Sequence, residues 1–501
     1  MISKVTSAAN VGYSGQLIDI ECDSSNGLPN LVIVGLGNKA IDESKERIRS
    51  AIKNSGLEFP RKRITLNLAP ADLPKDGSSY DVPMALAILA ISKQLPSDQL
   101  ADTLFIGELA LDGSIRPLSG IIGLLQTAKQ AGVSKAIIPK ANLAQAQLIE
   151  GLTLFGAQNL KEIYLHLINT QRLDAVLPSK TISSNQRKTP VSFNDISGQA
   201  QAKRALIIAA AGRHNILMHG PPGSGKTMLA KALLSILPSP NVDEIIAITK
   251  LQGLAGELRE EVATHRPFRS PHHTASSVAL IGGGQPACPG EVSLAHHGVL
   301  FLDELPEYPR NALEALRQPL EDREVCIARA NSRLTYPADF ILVATQNPCP
   351  CGFLGDNSRE CICSLQQING YVRRVSGPLL DRIDLLIKVN RIEQRQLLSA
   401  PPPEQSLGEI HTQIEKARRL QMQRFDNPTL ANTHLSQKDI AQKVRLQPEA
   451  RTLLDQAATK LDLSARSYMK VIRVARTIAD LEESEVTTSN HISEALQYRQ
   501  R

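Results

Sequence analysis

The sequence predicts an α/β protein built on a phosphate-binding-loop core, with a further α/β region ahead of it and a helical region behind. Three observations carry this. The stretch Gly220-Pro221-Pro222-Gly223-Ser224-Gly225-Lys226-Thr227 follows a short apolar run at 216–218 and precedes a helical pattern over 228–237. Apolar runs at 31–34, 64–68 and 104–106 alternate with helical patterns over 38–54, 83–93 and 119–131. Beyond Pro401-Pro402-Pro403 the periodicity is helical, near 406–424, 436–442, 447–461, 465–482 and 490–499. The expected segments are therefore 1–180, a polar linker at 181–190, a nucleotide core at 191–400 and a helical region at 401–501.

A chain of 501 residues is too long for one core, and 42% hydrophobic with 21% charged residues is an ordinary globular balance. The first residues form no apolar leader, and no run reaches transmembrane length, so a cytoplasmic protein without a membrane partner is expected. A net charge of +6 permits an anionic partner such as nucleic acid. Aromatics are only 3%, with no Trp, which disfavours base stacking. DNA contact would then run through Lys, Arg and backbone amides to phosphates, and would weaken with salt.

The loop at 220–227 has the residues a nucleoside triphosphate needs. Backbone amides and a helix N-terminus cradle phosphates, Lys226 reaches the β- and γ-phosphates, and the Thr227 hydroxyl holds Mg²⁺. A Gly/Pro-rich surface turn is the alternative. The apolar run 299–302 ends in Asp303-Glu304, placing one acid to hold Mg²⁺ and the next to polarise the attacking water of ATP hydrolysis.

Phe193-Asn194-Asp195-Ile196-Ser197-Gly198-Gln199, followed by an alanine-rich helical stretch, resembles the segment that precedes the phosphate loop in AAA+ ATPases. That resemblance implies roles for three more residues. Asn347, after the apolar run 340–344, sits where the family keeps a polar sensor; a plain turn asparagine before proline is the alternative. Arg382 in Leu379-Leu380-Asp381-Arg382 matches the arginine that acts on a neighbouring subunit's nucleotide; a local pair with Asp381 is the alternative. Arg466, Lys470 and Arg473 form a basic stripe in the last region, read as a lid, and Ser464-Ala465-Arg466 favours Arg466 as its γ-phosphate sensor over a solvated basic face.

Between the loop and Asp303 lie Arg266-Pro267-Phe268-Arg269-Ser270-Pro271-His272-His273 and Pro289-Gly290-Glu291-Val292-Ser293-Leu294-Ala295-His296-His297-Gly298. Together they resemble the magnesium-chelatase-like branch of AAA+ proteins. His272 and His273 lack metal-ligand spacing and read as a functional loop. Residues 324–328 and 333–336 alternate like a hairpin. In the similar MCM helicases such a hairpin grips DNA, which makes Arg329 and Arg333 candidate phosphate contacts; a solvated tip is the alternative. Cys349-Pro350-Cys351-Gly352 and Cys361-Ile362-Cys363 offer four thiolates for tetrahedral Zn²⁺, with redox or unliganded thiols as the other reading.

Leu73-Pro74-Lys75-Asp76-Gly77-Ser78-Ser79-Tyr80-Asp81 resembles the nucleophile segment of Lon-type proteases, with Ser79 at the serine position. Such a serine needs a lysine base. In Gly107 to Ile122 that position is Ile122, and the next lysine is Lys129. A Lon-protease-like region without proteolysis is expected, with Ser79 a cap or turn serine.

Nearly the whole chain resembles the ComM/YifB family of magnesium-chelatase-like AAA+ ATPases. The resemblance implies a hexameric, ATP-driven helicase acting on branched or single-stranded DNA, promoting branch migration in natural transformation. A chelatase motor subunit and a protein-remodelling ATPase are the competing readings.

Overall fold

Two sheets account for the main apolar runs in the computed structural model, which describes residues 2–35, 39–71, 79–178, 191–258, 260–284, 287–328, 333–356, 359–391 and 405–499. The expected linker at 181–190, Pro401 to Pro403 and Arg329 lie outside the described residues.

The first sheet has eight strands. Its edge-to-edge order is Ala175–Val176, Thr153–Ala157, Lys135–Pro139, Thr103–Phe105, Ile2–Val11, Ser14–Ser25, Arg63–Ala69 and Asn30–Val34. Its centre is the antiparallel pair Ile2–Val11 and Ser14–Ser25, which buries Ile18, Ile20 and Cys22 at alternate positions. Helix Asp81–Ile91 is apolar on every side and wholly buried, as a helix without a polar face must be. It packs on the same central strands as helix Ile121–Gln130, but in a separate apolar cluster. The helix begins at Asp81 rather than Pro83, and no side chain caps it. Ser79 is a turn residue whose carbonyl accepts the Gly107 amide at 3.0 Å, so the cap alternative falls.

Ile122, at the position read against the Lon lysine, is 1% exposed in Ile121–Gln130. Its apolar cluster continues into Ile245 of helix Val242–Leu254, which lies beyond the expected linker. Lys250 on that helix donates to Gln126 Oε1 at 2.6 Å and lies 4.1 Å from the Tyr13 ring centroid; burial pushes its pKa down to about 8.

The second sheet is parallel, in the order Phe268–Arg269, Val299–Leu302, Ile341–Gln346, Ile216–His219 and Leu385–Lys388. Near-continuous apolar strands suit a parallel sheet covered on both faces. Helix Ala200–Gly212 joins it to the C-terminal helices Leu407–Phe425 and Ala465–Leu481 in one core. The other expected C-terminal helices form as Gln437–Lys443, Pro448–Lys460 and Ser489–Gln497. The hairpin forms from Glu324–Ala328 and Arg333–Pro337. Among the described residues no helix is long and apolar enough to cross a membrane.

Candidate nucleotide site

A parallel sheet carries the C-terminal ends of all its strands to one edge, where ligands bind. The loop 220–227 leaves Ile216–His219 at that edge, Asp303 and Glu304 follow Val299–Leu302, and Asn347 follows Ile341–Gln346. Gly220 must be glycine, because a Cβ there would stand 2.1 Å from the Val389 carbonyl oxygen. Pro221, Pro222, Gly223, Ser224 and Gly225 complete the turn, closed by Ser224 Oγ donating to the Pro221 carbonyl at 2.9 Å. Lys226 and Thr227 open helix Lys226–Ile236, two residues earlier than the periodicity predicts.

Lys226 Nζ donates to the carbonyls of Gly220 (2.7 Å) and Pro221 (2.9 Å), and to Asn347 Oδ1 at 3.2 Å. Asn347 is thus turned onto the phosphate-loop lysine. Burial lowers the Lys226 pKa, while Asp303 and Glu304 pull it back up. Thr227 Oγ1 donates to Asp303 Oδ2 at 3.3 Å. Two oxygens on adjacent corners of a Mg²⁺ octahedron stand roughly 3 Å apart, so this pair fits the cation. Thr345 Oγ1 donates to Asp303 Oδ1 at 2.5 Å and accepts the Glu304 amide at 2.9 Å. Glu304 holds a left-handed backbone (φ 52°), a strained setting for a non-glycine residue at a strand end.

Arg382 stands at the other edge. Leu385 pairs with Ile216, and the amides of Asp384 and Leu385 both donate to the Asn215 carbonyl, at the start of the strand whose far end bears the loop. A four-residue strand is about 13 Å long. Arg382 Nε donates to the Arg317 carbonyl (3.1 Å), Nη1 to that of Pro378 (2.6 Å), and Nη2 to Glu321 Oε2. Its carboxylate partner is therefore Glu321, not Asp381. Arg466 Nη2 donates to Glu321 Oε1 at 2.5 Å. The rest of the basic stripe diverges: Lys470 reaches the Ile383 carbonyl and Arg473 the Leu435 carbonyl, both at 2.8 Å.

The sulfurs of Cys349, Cys351, Cys361 and Cys363 lie within 4.8 Å of one another, the single such His/Cys/Asp/Glu group among the described residues. A hydrogen bond from the Phe353 backbone amide holds the Cys351 thiol down to about 6, in the thiolate range. The rings of His272 and His273 lie 4.1 Å apart at a 34° tilt, and His272 Nδ1 is 2.9 Å from Thr274 Oγ1, a loop contact rather than a metal set. His296 and His297 are buried instead: His296 Nδ1 accepts the Asp339 amide at 2.9 Å, and His297 neighbours Arg213 and Glu244. Arg333, at the described end of the hairpin, donates to Cys326 Sγ at 2.8 Å.

Sequence reasoning missed Thr345 and Glu321. The first was findable, as a hydroxyl at a strand end beside Asn347. The second had no local signal, because its role comes from two arginines distant in sequence.

The family described as "Magnesium chelatase, subunit ChlI" matches residues 192–397, "Subunit ChlI of Mg-chelatase" matches 20–142, and the "Magnesium chelatase, subunit ChlI C-terminal" family matches 404–499. The chain is 42% identical to the competence protein ComM of Haemophilus influenzae over 499 residues, covering 99% of this chain and 97% of that protein. It is 40% identical to YifB of Escherichia coli over 500 residues, at 99% and 97% coverage. A Lon protease of Leptospira interrogans is 29% identical over 173 residues, 33% of this chain and 20% of that protein. Similarity of this extent, running through both sheets and the C-terminal helices, makes the chain a member of the ComM/YifB family of magnesium-chelatase-like proteins.

Proposed function

We propose that the chain is an ATP-hydrolysing, ring-forming DNA motor, a helicase that promotes branch migration during natural transformation. The observation that carries the ring is the separation of Arg382 and Arg466 from the phosphate loop of their own chain, at opposite edges of one parallel sheet. Arginines so placed serve the nucleotide of a neighbouring copy, and a closed ring, a hexamer by family resemblance, gives every site such a neighbour. Residues 401–501 act as the lid that carries Arg466, and residues 1–180 are a Lon-like domain with no proteolytic base.

Within the site, the loop amides and Lys226 bind and orient the triphosphate. Thr227 and Asp303 would hold Mg²⁺, which would supply charge neutralisation to the transferring phosphoryl group. Glu304, fixed through its amide by Thr345, orients the attacking water. Asn347 sets the position of Lys226. Arg382 and Arg466 from the adjacent subunit neutralise the transition state.

DNA as the substrate is supported by full-length similarity to a competence protein and by the basic hairpin bearing Arg333, with Arg329 beyond its described end. The matches to magnesium-chelatase descriptions favour a second reading, a chelatase-type motor subunit acting through a partner. ATP turnover with and without branched or single-stranded DNA separates them. DNA-stimulated turnover, reduced in Arg329→Ala/Arg333→Ala, is the expected result. Turnover indifferent to DNA at low salt would end the helicase reading.

A further inference from the structure

We propose that a metal ion held by Cys349, Cys351, Cys361 and Cys363 sets the nucleotide affinity of the phosphate loop, through the contact of Gly352 with Pro222. This rests on reading 220–227 as the nucleotide loop and the cysteines as a zinc site.

The thiols have the geometry of a ligand set. Sγ of Cys349 is 3.3 Å from that of Cys351 and 3.6 Å from that of Cys361, and Cys351 to Cys361 is 3.6 Å. Sulfurs bonded to one tetrahedral Zn²⁺ at 2.3 Å stand about 3.8 Å apart. A disulfide would bring a pair to about 2.05 Å. Three thiols at these distances, with Cys363 Sγ within 4.8 Å of each, approximate the edges of a zinc tetrahedron.

The same segment lies on the phosphate loop. The Gly352 amide donates to the Cys349 carbonyl at 2.9 Å, closing the turn between the first two thiols. Gly352 has φ 84°, and a Cβ there would stand 2.5 Å from Pro222 Cγ, so turn and loop are packed without room for a side chain. On the other side Arg391 Nη2 donates to the Pro222 carbonyl at 3.1 Å. Arg391 is in turn 3.4 Å from Asp356 and stacked at 5.6 Å over Phe353, both between the second and third cysteines. A second route is shorter still: Cys349 follows Asn347 by two residues, and Asn347 holds Lys226.

Beside the contacts of Arg391, it is the cysteines that converge within this segment. Between Cys351 and Cys361 the described residues form no helix or strand, Leu354 is 43% exposed, and neighbouring Ile362 is 86% exposed. Among the described residues there, neither a backbone ladder nor a buried apolar side chain reinforces the Arg391 contacts, and a metal supplies the further cross-link that holds the turn on Pro222 and Asn347 on Lys226. Coupling of this kind is reciprocal, so bound nucleotide tightens metal binding by the same factor.

The test uses the full chain at fixed Mg²⁺, measuring zinc content and the dissociation constant of a fluorescent ATP analogue. Both are measured before and after a zinc-selective chelator, and again after Zn²⁺ is returned. The expected result is one bound zinc, nucleotide affinity weakened roughly tenfold on its removal, and recovery on its return. Gly352→Val, which leaves every thiol in place, should weaken nucleotide binding while keeping zinc. Zinc that binds and leaves with unchanged nucleotide affinity overturns the coupling and leaves the zinc reading standing. So does normal affinity in Gly352→Val. A chain that binds nucleotide but no zinc overturns the zinc reading and the proposal together. A zinc-loaded chain that binds no nucleotide removes the loop reading instead, and the proposal with it.

Discussion

Arg466 donates to Oε1 of Glu321 at 2.5 Å, while Arg382 holds the other oxygen of the same carboxylate. Two arginines from separate regions of the chain are thus gathered at one point, at the edge of the sheet opposite the phosphate loop. Glu321 burial opposes its ionisation, but the two guanidiniums hold its pKa below the usual carboxylate range. Removing the charge in Glu321→Gln frees both. The expected outcome is reduced kcat with nucleotide affinity little changed, and partial rescue by Glu321→Asp, read from steady-state turnover beside equilibrium nucleotide binding.

Arg466→Ala and Arg382→Ala should both lower kcat with little effect on nucleotide binding by the chain that carries them. The loss expected for Arg382 is on the order of a thousandfold, the scale of a transition-state arginine. Loss of nucleotide affinity in Arg382→Ala, with kcat intact, would contradict its assigned role.

Thr345 ties the two acids together. Thr345→Val removes the hydroxyl that bonds Asp303 Oδ1 and accepts the Glu304 amide. Losing a part-buried hydrogen bond of this kind costs about 1 kcal/mol. Catalysis should suffer more than stability, because Asp303 and Glu304, the acids proposed to serve Mg²⁺ and the attacking water, both lose their anchor. Parallel measurement of thermal unfolding and kcat separates the two effects. An unchanged kcat would dismiss Thr345 from the site.

Ile122 stands at the position read against the lysine of Lon-type proteases and serves in a core instead. Its side chain is 1% exposed in a cluster shared with Ile245 of helix Val242–Leu254. Ile122→Lys should destabilise the fold by about 3 kcal/mol or more through an unpaired buried charge, and should create no peptidase activity. A stable variant would mean that this contact is open to water.

His296 gives a pH dependence of defined sign. Burial lowers its pKa from 6.5 to about 4, and its Nδ1 must stay unprotonated to accept the Asp339 amide. Between those values the unfolded chain takes up a proton that the folded chain refuses, so stability present above pH 6.5 is lost as pH falls toward 4. The contribution is roughly 3 kcal/mol at full extent. Thermal unfolding of His296→Asn should lose less stability than the parent chain between about pH 7 and pH 5. Parallel curves would contradict this assignment.

The phosphate loop, Asp303, Glu304 and Asn347 were legible because each sits directly after a short apolar strand, so chemistry and local structure share one stretch of sequence. Ser464-Ala465-Arg466 singles out Arg466 from its stripe, but nothing local points to Glu321; packing alone sends Arg466 there and Lys470 and Arg473 to carbonyls. Strands Ile2–Val11 and Ser14–Ser25 escaped notice because polar and small residues dilute their alternation, although they form the centre of the first sheet. The docking of helix Val242–Leu254 against Ile121–Gln130 had no sequence signature, since contact between two distant helices leaves no periodic mark on either.

The most direct test of a catalytic site divided between subunits is to mix two inactive chains. Lys226→Ala lacks the phosphate lysine but keeps its arginines, and Arg382→Ala keeps the loop but lacks the arginine. Mixed in equal amounts, they should recover part of the ATP turnover, at interfaces where an intact loop meets an intact Arg382. Turnover that stays at the level of the separate variants, in rings shown to contain both chains, would contradict a site completed by the neighbour.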